Sequence, residues 1–351
     1  MFLPVIEDHP LMIEIGDRVI ECALLQMQDW HDQGIDLPVS VNVSALQLQQ
    51  PDFVERLGAR LAAHPRIQPS HLELEVLETS ALQNVLQSSH VLAACRKLGV
   101  QISVDDFGAG YSSLTYLKRL PANLLKIDQS FVRDMLDTPE SLTIIEGVLG
   151  LAAAFHRAVI AEGVESAEHG LMLLQMGCDL AQGFGIARPM PAGEIKAWMA
   201  AWRPDPRWAQ VPEVQAGNRT VLYAMTEHRA WLGDFEAFLE DRKPLPPTLD
   251  ARHCSVGAWL LALHRASDHA VDALQTVEDL HRQFHAAAED IFTLHAGGRQ
   301  QDALSQLVLL RQIHGRFLES LHPFTHGAAS KGGYGALPPI PSLDQDPAAM
   351  A

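Results

Sequence analysis

At 351 residues, with 47% hydrophobic and 20% charged content, the chain can bury enough apolar surface for a globular protein of two domains. A net charge of −17 excludes a general binder of DNA or RNA, because phosphate-backbone affinity needs a basic face, and an anionic ligand would need a metal to bring it in. No apolar run approaches the ~20 residues that cross a bilayer, Met1-Phe2-Leu3-Pro4 lacks a basic signal-peptide start, and Cys22, Cys95, Cys178 and Cys254 show no paired spacing; a cytoplasmic protein with reduced thiols and no transmembrane segment is expected.

Residues 5–34 read as a helix, with Ile13, Val19, Ile20, Leu24, Leu25 and Met27 at helical spacing and Gly34 closing the run. Strands and helices then alternate. Val39 to Ser44 reads as strand, Asp52 to Ala63 as helix, Leu72 to Glu78 as strand and Leu86 to Leu98 as helix. Next, Val100, Ile102 and Val104 alternate into Asp105-Asp106 and a loop rich in glycine and hydroxyls, Phe107-Gly108-Ala109-Gly110-Tyr111-Ser112-Ser113. Further strands are expected at 123–128, 158–165 and 178–186, separated by helices around 140–156 and 167–176. Regular β-α alternation over ~200 residues predicts a parallel sheet with helical crossovers, an α/β TIM-type barrel.

The polar residues collect at the C-terminal ends of these strands: Asn42, Glu75 with Glu78, Asp105 with Asp106, Lys126, Glu162 with Glu165, and Gln182. In a barrel that end is the catalytic mouth. Adjacent carboxylates repel, so Asp105 beside Asp106 is costly unless a cation sits between them. An oxygen-rich set of this kind suits hard divalent ions such as Mg²⁺ or Mn²⁺, and with two ions bridged by one carboxylate the natural chemistry is phosphodiester hydrolysis by metal-activated water.

Asn42 in VNVS, Glu75 and Glu78 in ELEVLET, DDFGAGYSSL, LKID, AEGVE and QGFGIARPMP together resemble the EAL family of cyclic-di-GMP phosphodiesterases, over residues 1 to about 203. The resemblance implies a barrel that opens cyclic di-GMP to linear pGpG, with Asn42, Glu75, Asp105, Asp106 and Glu162 around two metals and Asp105 bridging them. It further implies that Lys126 orients or polarises the attacking water, that Glu78 braces the loop from Gly108 to Ser113, and that Glu165 and Gln182 support the site. Leu77 stands where the family often has threonine. The Glu-Ala-Leu segment that names the family, and with it one metal-ligand glutamate, occurs nowhere in the chain; Phe2 already matches the region beyond it. About six of eight strands are therefore expected, an incomplete barrel with two unpaired edges open to completion by another chain, and a homodimer is expected.

Around Trp202 the texture changes, and residues 204–218 read as a proline-bearing linker. Residues 219–240, 254–266, 268–296 and 299–322 then read as helices, a four-helix bundle within 219–325, and from His326 the Gly, Ala, Pro and Ser content predicts a disordered tail to 351. His228 with Trp231, Cys254 in Cys-Ser-Val-Gly-Ala-Trp-Leu, and His281 with His285 stand out. The last two lie four apart on one helix face, and a thiolate with three imidazoles makes a tetrahedral zinc site with no open position. His253, His264, His269 and His295 remain as rival ligands or plain surface residues. The segment 220–322 resembles the chemoreceptor zinc-binding family, whose signature runs His, Cys-x-x-Gly-x-Trp, His-x3-His. Zinc affinity is expected to fall as pH drops through the histidine range near ~6.5, and Cys254 offers a redox input.

Two functions follow from this reading. One is a cyclic-di-GMP phosphodiesterase set by a zinc-sensing bundle; the other is a non-catalytic cyclic-di-GMP receptor or zinc sensor, because the first ligand glutamate is absent from the chain.

Overall fold

The computed structural model describes residues 9–79, 85–110, 114–209, 211, 213–214, 219–266 and 271–325. Tyr111 to Ser113, His269 and the stretch from His326 onward, singled out above, lie outside the described residues. The chain forms two compact units, one from residues within 1–133, 144–170 and 178–209, the other from 134–143, 171–177 and 210–351.

In the first unit six parallel strands run in sequence order across one sheet: β1 (Val39–Asn42), β2 (Leu72–Leu77), β3 (Gln101–Phe107), β4 (Leu124–Ile127), β5 (Ala158–Ala161) and β6 (Leu180–Ala181). Among the described residues this is an open half-barrel, with β1 and β6 as its edges. The alternation of β2 explains its place: Leu72, Leu74 and Val76 are buried on one face while Glu73 and Glu75 are buried on the other, as both faces of a parallel sheet must be. Each such aliphatic side chain contributes ~1.5–3 kcal/mol through burial.

The helices follow the strands as crossovers. α1 (Leu11–Asp32) turns Gly16, Ile20, Leu24 and Met27 inward and ends where Gly34 adopts φ 75. Next come α2 (Ala45–Leu48), opened by a Ser44–Gln47 capping box, α3 (Phe53–Ala63), α4 (Val85–Lys97), α5 (Leu114–Arg119), α6 (Gln129–Asp134), α7 (Pro139–Ala154), α8 (Ala167–Gln175) and α9 (Ile195–Ala201). Two strands end at least four residues before the sequence predicts. β5 stops at Ala161 and β6 at Ala181, so Glu162, Glu165 and Gln182 sit on loops just past the strand ends. Gly163, at φ 77, turns the first of these loops.

The second unit is led by four helices, α10 (Thr220–Leu239), α11 (Ser255–Ala266), α12 (Val271–Ala296) and α13 (Gln300–Thr325). Phe235 and Leu239 from α10, Phe284, Ala288 and Ile291 from α12, and Ala303, Leu307 and Leu310 from α13 make one core cluster. On α13 the buried positions Ala303, Leu307, Leu310, His314, Phe317 and Leu321 alternate steps of four and three, the spacing of a bundle seam, and one of them is a histidine.

Candidate metal centres

Asp105 and Asp106 end β3, where consecutive side chains should point to opposite faces. The pairing register with β4 shifts between Val104 and Phe107, and Asp106 takes φ 54, a left-handed conformation that aspartate tolerates better than most residues. The irregularity lets both acids join Glu162: one carboxylate oxygen from each lies within 4.8 Å of the others. Lys126 from β4 holds the cluster from beneath. Its Nζ sits 2.9 Å from Glu75 Oε1 and 3.1 Å from Asp105 Oδ1 and also contacts Glu162 Oε1, with only 4% of the lysine side chain exposed. Gln182 Nε2 donates to the same Glu162 oxygen at 2.7 Å.

The electrostatics follow from one cation among many acids. Burial alone would push the Lys126 ammonium down, but Glu162 and Glu75, then Asp105, outweigh it and raise its pKa, so the lysine stays charged. Burial pushes the Glu162 carboxyl up to about 7, with Lys126 pulling it back and Asp105 adding to the rise. Asp106 goes up to about 6 through burial and the neighbouring Asp105 and Asp128 carboxylates. Desolvated acids that hold protons near neutrality call for more positive charge. Asp105 Oδ1, buried without a hydrogen bond of good geometry, points the same way, and the all-oxygen donor set fits divalent cations.

The remaining predicted residues fall around this cluster. Asn42 ends β1 directly opposite Glu75 in the register and is exposed. Glu78, 1% exposed, accepts a hydrogen bond from the Gly108 N–H at 3.0 Å, and a Cβ on Gly110 would meet its carboxylate at 2.5 Å, so its carboxylate packs directly against the start of the Gly108 loop. Glu165 is exposed and lines a cavity of about 440 Å³ with Glu162, Gln182, Phe184, Arg188 and Trp198. The Arg188 guanidinium lies over the Phe184 ring at 4.8 Å. The sequence reading missed Asp128, which accepts from Ser130 N at 2.7 Å and interacts with Asp106; its place just past β4, in the same run as Lys126, was the available signal.

The second centre is in the bundle. His228 on α10 and His281 and His285 on α12 bring one ring nitrogen each within 4.8 Å of the others, all three buried. His285 Nδ1 donates to Leu249 O at 2.7 Å, which leaves Nε2 as the free lone pair facing inward. That Nε2 and both nitrogens of His228 are buried without hydrogen-bond partners. Each such orphan costs ~1–3 kcal/mol unless something binds it, and a zinc ion among three imidazoles would. Cys254, just before α11, places Sγ 3.2 Å from His281 Nε2 and accepts from the Gly257 N–H at 3.2 Å, but Sγ does not join the group of three nitrogens.

Burial lowers the His228, His281 and His285 pKa values, His281 to about 3, with neighbouring imidazoles adding to the fall for His228 and His281. This lowers the expected pH range: His228 and His281 are already neutral well below ~6.5, because a buried cation cannot be hydrated, and His285 shifts in the same direction. The Cys254 thiol moves the other way, up to about 11, mainly by burial. Of the rival histidines, His253 is exposed and paired with Asp250 at 2.7 Å, and His295 stands ten residues past His285, ~15 Å along α12. The His264 side chain and His269 lie outside the described residues. A different histidine was missed. His314 on α13 is 7% exposed, its Nε2 has no hydrogen-bond partner, and its ring stacks on His228 at 5.2 Å.

Comparison with known proteins assigns both parts of the chain to described domains. The EAL domain family model matches residues 1–189, more than half of the chain. The chain belongs to the EAL domain family. Residues 228–292 match the chemoreceptor zinc-binding domain. Among curated EAL relatives, the bifunctional diguanylate cyclase/cyclic di-GMP phosphodiesterase MucR of Pseudomonas aeruginosa is 40% identical over 200 residues, 57% of this chain and 29% of MucR. The signaling protein YkoW of Bacillus subtilis is 39% identical over 198 residues, 56% of this chain and 25% of YkoW. The chain thus spans a quarter to a third of such relatives. Solved EAL structures superpose on the half-barrel: the MucR phosphodiesterase in complex with c-di-GMP at TM-score 0.53 and 40% identity, covering 55% of this chain and 78% of that one, and the EAL domain of Mycobacterium smegmatis DcpA at 0.52 and 35%, covering 54% and 86%.

Proposed function

We propose that the EAL unit hydrolyses cyclic di-GMP to linear pGpG and that the bundle regulates it through zinc. The observation that carries the first half is the Asp105, Asp106 and Glu162 cluster, built at the strand ends around a buried lysine. Two Mg²⁺ or Mn²⁺ ions, when bound, would neutralise phosphate charge and lower the pKa of the attacking water. In this reading Asp105 would serve both ions, and Asp106, Glu162, Glu75 and Asn42 would supply further donors, the family's first ligand glutamate being absent from the chain. Lys126 contacts Glu75, Asp105 and Glu162, and its ammonium would orient the water. Gln182 fixes Glu162, and Glu78 holds the Gly108 loop.

The zinc half of the reading is supported by the partnerless nitrogens of His228 and His285, with Cys254 as the fourth ligand. A cytoplasmic homodimer belongs to the same proposal, supported by β1 and β6 being the edges of the sheet among the described residues. Among the described residues no helix is long and apolar enough to cross a membrane. Chromatography of cyclic di-GMP incubated with the 351-residue chain and Mn²⁺ or Mg²⁺ tests the chemistry. Linear pGpG should appear, and Glu162→Gln should lose turnover by ~10²-fold or more while keeping nucleotide binding. Binding without any product would leave a receptor instead of an enzyme.

A further inference from the structure

His314 lies beyond the stretch that matches the zinc-binding domain, and nothing in the EAL chemistry uses it. It enters the bundle from α13, whereas the three clustered imidazoles come from α10 and α12. Its ring centroid is 5.2 Å from that of His228, the same separation as between His228 and His281, a pair that does share the cluster. It also packs against Phe284 at 5.6 Å, so the same aromatic wall encloses both rings. A buried imidazole nitrogen without a partner costs ~1–3 kcal/mol, and an apolar residue at that seam position would avoid the cost. The three-nitrogen group meanwhile needs a fourth donor to close a tetrahedron. Cys254 reaches toward it from just before α11 and, of the three imidazoles, its sulfur is hydrogen-bonded to His281.

We propose that His314 is a fifth donor of the bundle's zinc site, taking the fourth position when the Cys254 thiolate is withdrawn, so that the metal passes to a four-imidazole site and is retained. The inference rests on reading the bundle as a zinc site. Because the His314 and His228 rings are nearly parallel, at 13°, convergence on one ion requires a turn of the His314 side chain, with the helices in place. The site would then tolerate loss of its only sulfur ligand, and thiol chemistry would change the coordination without emptying it.

The test uses the full chain with Co²⁺ as a spectroscopic probe and Zn²⁺ for stoichiometry, in four forms: wild type, Cys254→Ala, His314→Gln and the double variant. Wild type should bind one Co²⁺ with a thiolate-to-cobalt charge-transfer band. Cys254→Ala should lose that band yet keep one metal per chain with the intense d–d absorption of tetrahedral cobalt. His314→Gln should resemble wild type, and the double variant should bind at least about tenfold more weakly than Cys254→Ala. Equal affinity of the Cys254→Ala and double variants, or loss of metal by Cys254→Ala alone, overturns the role of His314. A wild-type protein that binds no Zn²⁺ instead overturns the zinc-site reading itself. His314→Phe in the Cys254→Ala background, with helical circular dichroism, separates lost coordination from lost packing: restored packing with restored metal binding would also overturn the proposal.

Discussion

Glu162 and Asp106 hold protons that an unfolded chain would release, and this gives the metal-free protein an unusual pH profile. Their pKa values rise from 4.5 to about 7 and from 3.8 to about 6. The native state therefore binds more protons than the unfolded state across that window, so their contribution to stability is full at the acid end and is lost as pH rises toward 7. Each contributes a slope of at most ~1.4 kcal/mol per pH unit. Thermal melts in chelator from pH 5 to 8 should show wild type losing stability relative to Glu162→Gln, and Mn²⁺ should reverse the loss; parallel curves would remove the buried-acid account. The bundle gives the complementary case. His228 and His281 are neutral well below pH 6.5, whereas Cys254 is raised to about 11 and must give up its proton to become a ligand. Zinc binding between pH 6 and 8 should release about one proton, affinity rising roughly tenfold per pH unit, and Cys254→Ala should flatten the dependence. Calorimetry in buffers of different ionisation enthalpy counts the protons, and a count of two or more would mean that the histidines titrate after all. At this scale the acids, the lysine and three of the imidazoles were legible because strand ends and the His-x3-His step have fixed spacings. His314 was not, because a single histidine on an apolar stripe reads as core until its partnerless nitrogen is seen beside His228.

At the scale of elements, apolar alternation located all six strands, but it could not tell where β5 and β6 end. AEGVE and QGFGI look extended because their backbones pair with each other as loops: Val164 N donates to Gln182 O at 3.0 Å, and Gly185 N donates to Val164 O at 2.8 Å. These two loops carry Glu162 and Gln182 into contact. Gly183 allows the approach, since a Cβ there would lie 2.3 Å from Val164 N and O, a clash with backbone that cannot swing aside. Gly183→Ala should therefore destabilise the protein by ~1–3 kcal/mol and part Gln182 from Glu162. A melting temperature within a degree of wild type, with turnover intact, would show that the loops accommodate the methyl. The shift at Asp105-Asp106 was equally invisible in advance: two adjacent acids in a strand pattern predict opposite faces, and only the register slip with φ 54 at Asp106 puts both on one site. The bundle helices were read to within three residues at their described ends, because a bundle seam repeats over many turns and a strand end does not repeat at all.

For the whole molecule, regulation means that zinc and cyclic di-GMP change each other's binding, and linkage makes that claim strict. If zinc alters the dissociation constant for cyclic di-GMP by some factor, cyclic di-GMP must alter the zinc constant by the same factor, whatever structural route connects the two sites. Coupling of the usual size would be about 5- to 150-fold. The measurement is cyclic di-GMP affinity of the 351-residue chain, made non-hydrolysing by Glu162→Gln, with and without saturating Zn²⁺, paired with Zn²⁺ affinity with and without saturating nucleotide. The two ratios should agree and exceed about fivefold. Adding His281→Ala and His285→Ala, which removes two of the three clustered imidazoles, should bring the nucleotide ratio to one. Ratios of one in the parent would leave two metal centres that share a chain without sharing free energy. Ratios that differ from each other would mean that Zn²⁺ also enters the Asp105, Asp106 and Glu162 cluster, where oxygen donors accept it, and the imidazole variants would identify that contribution because they leave it in place.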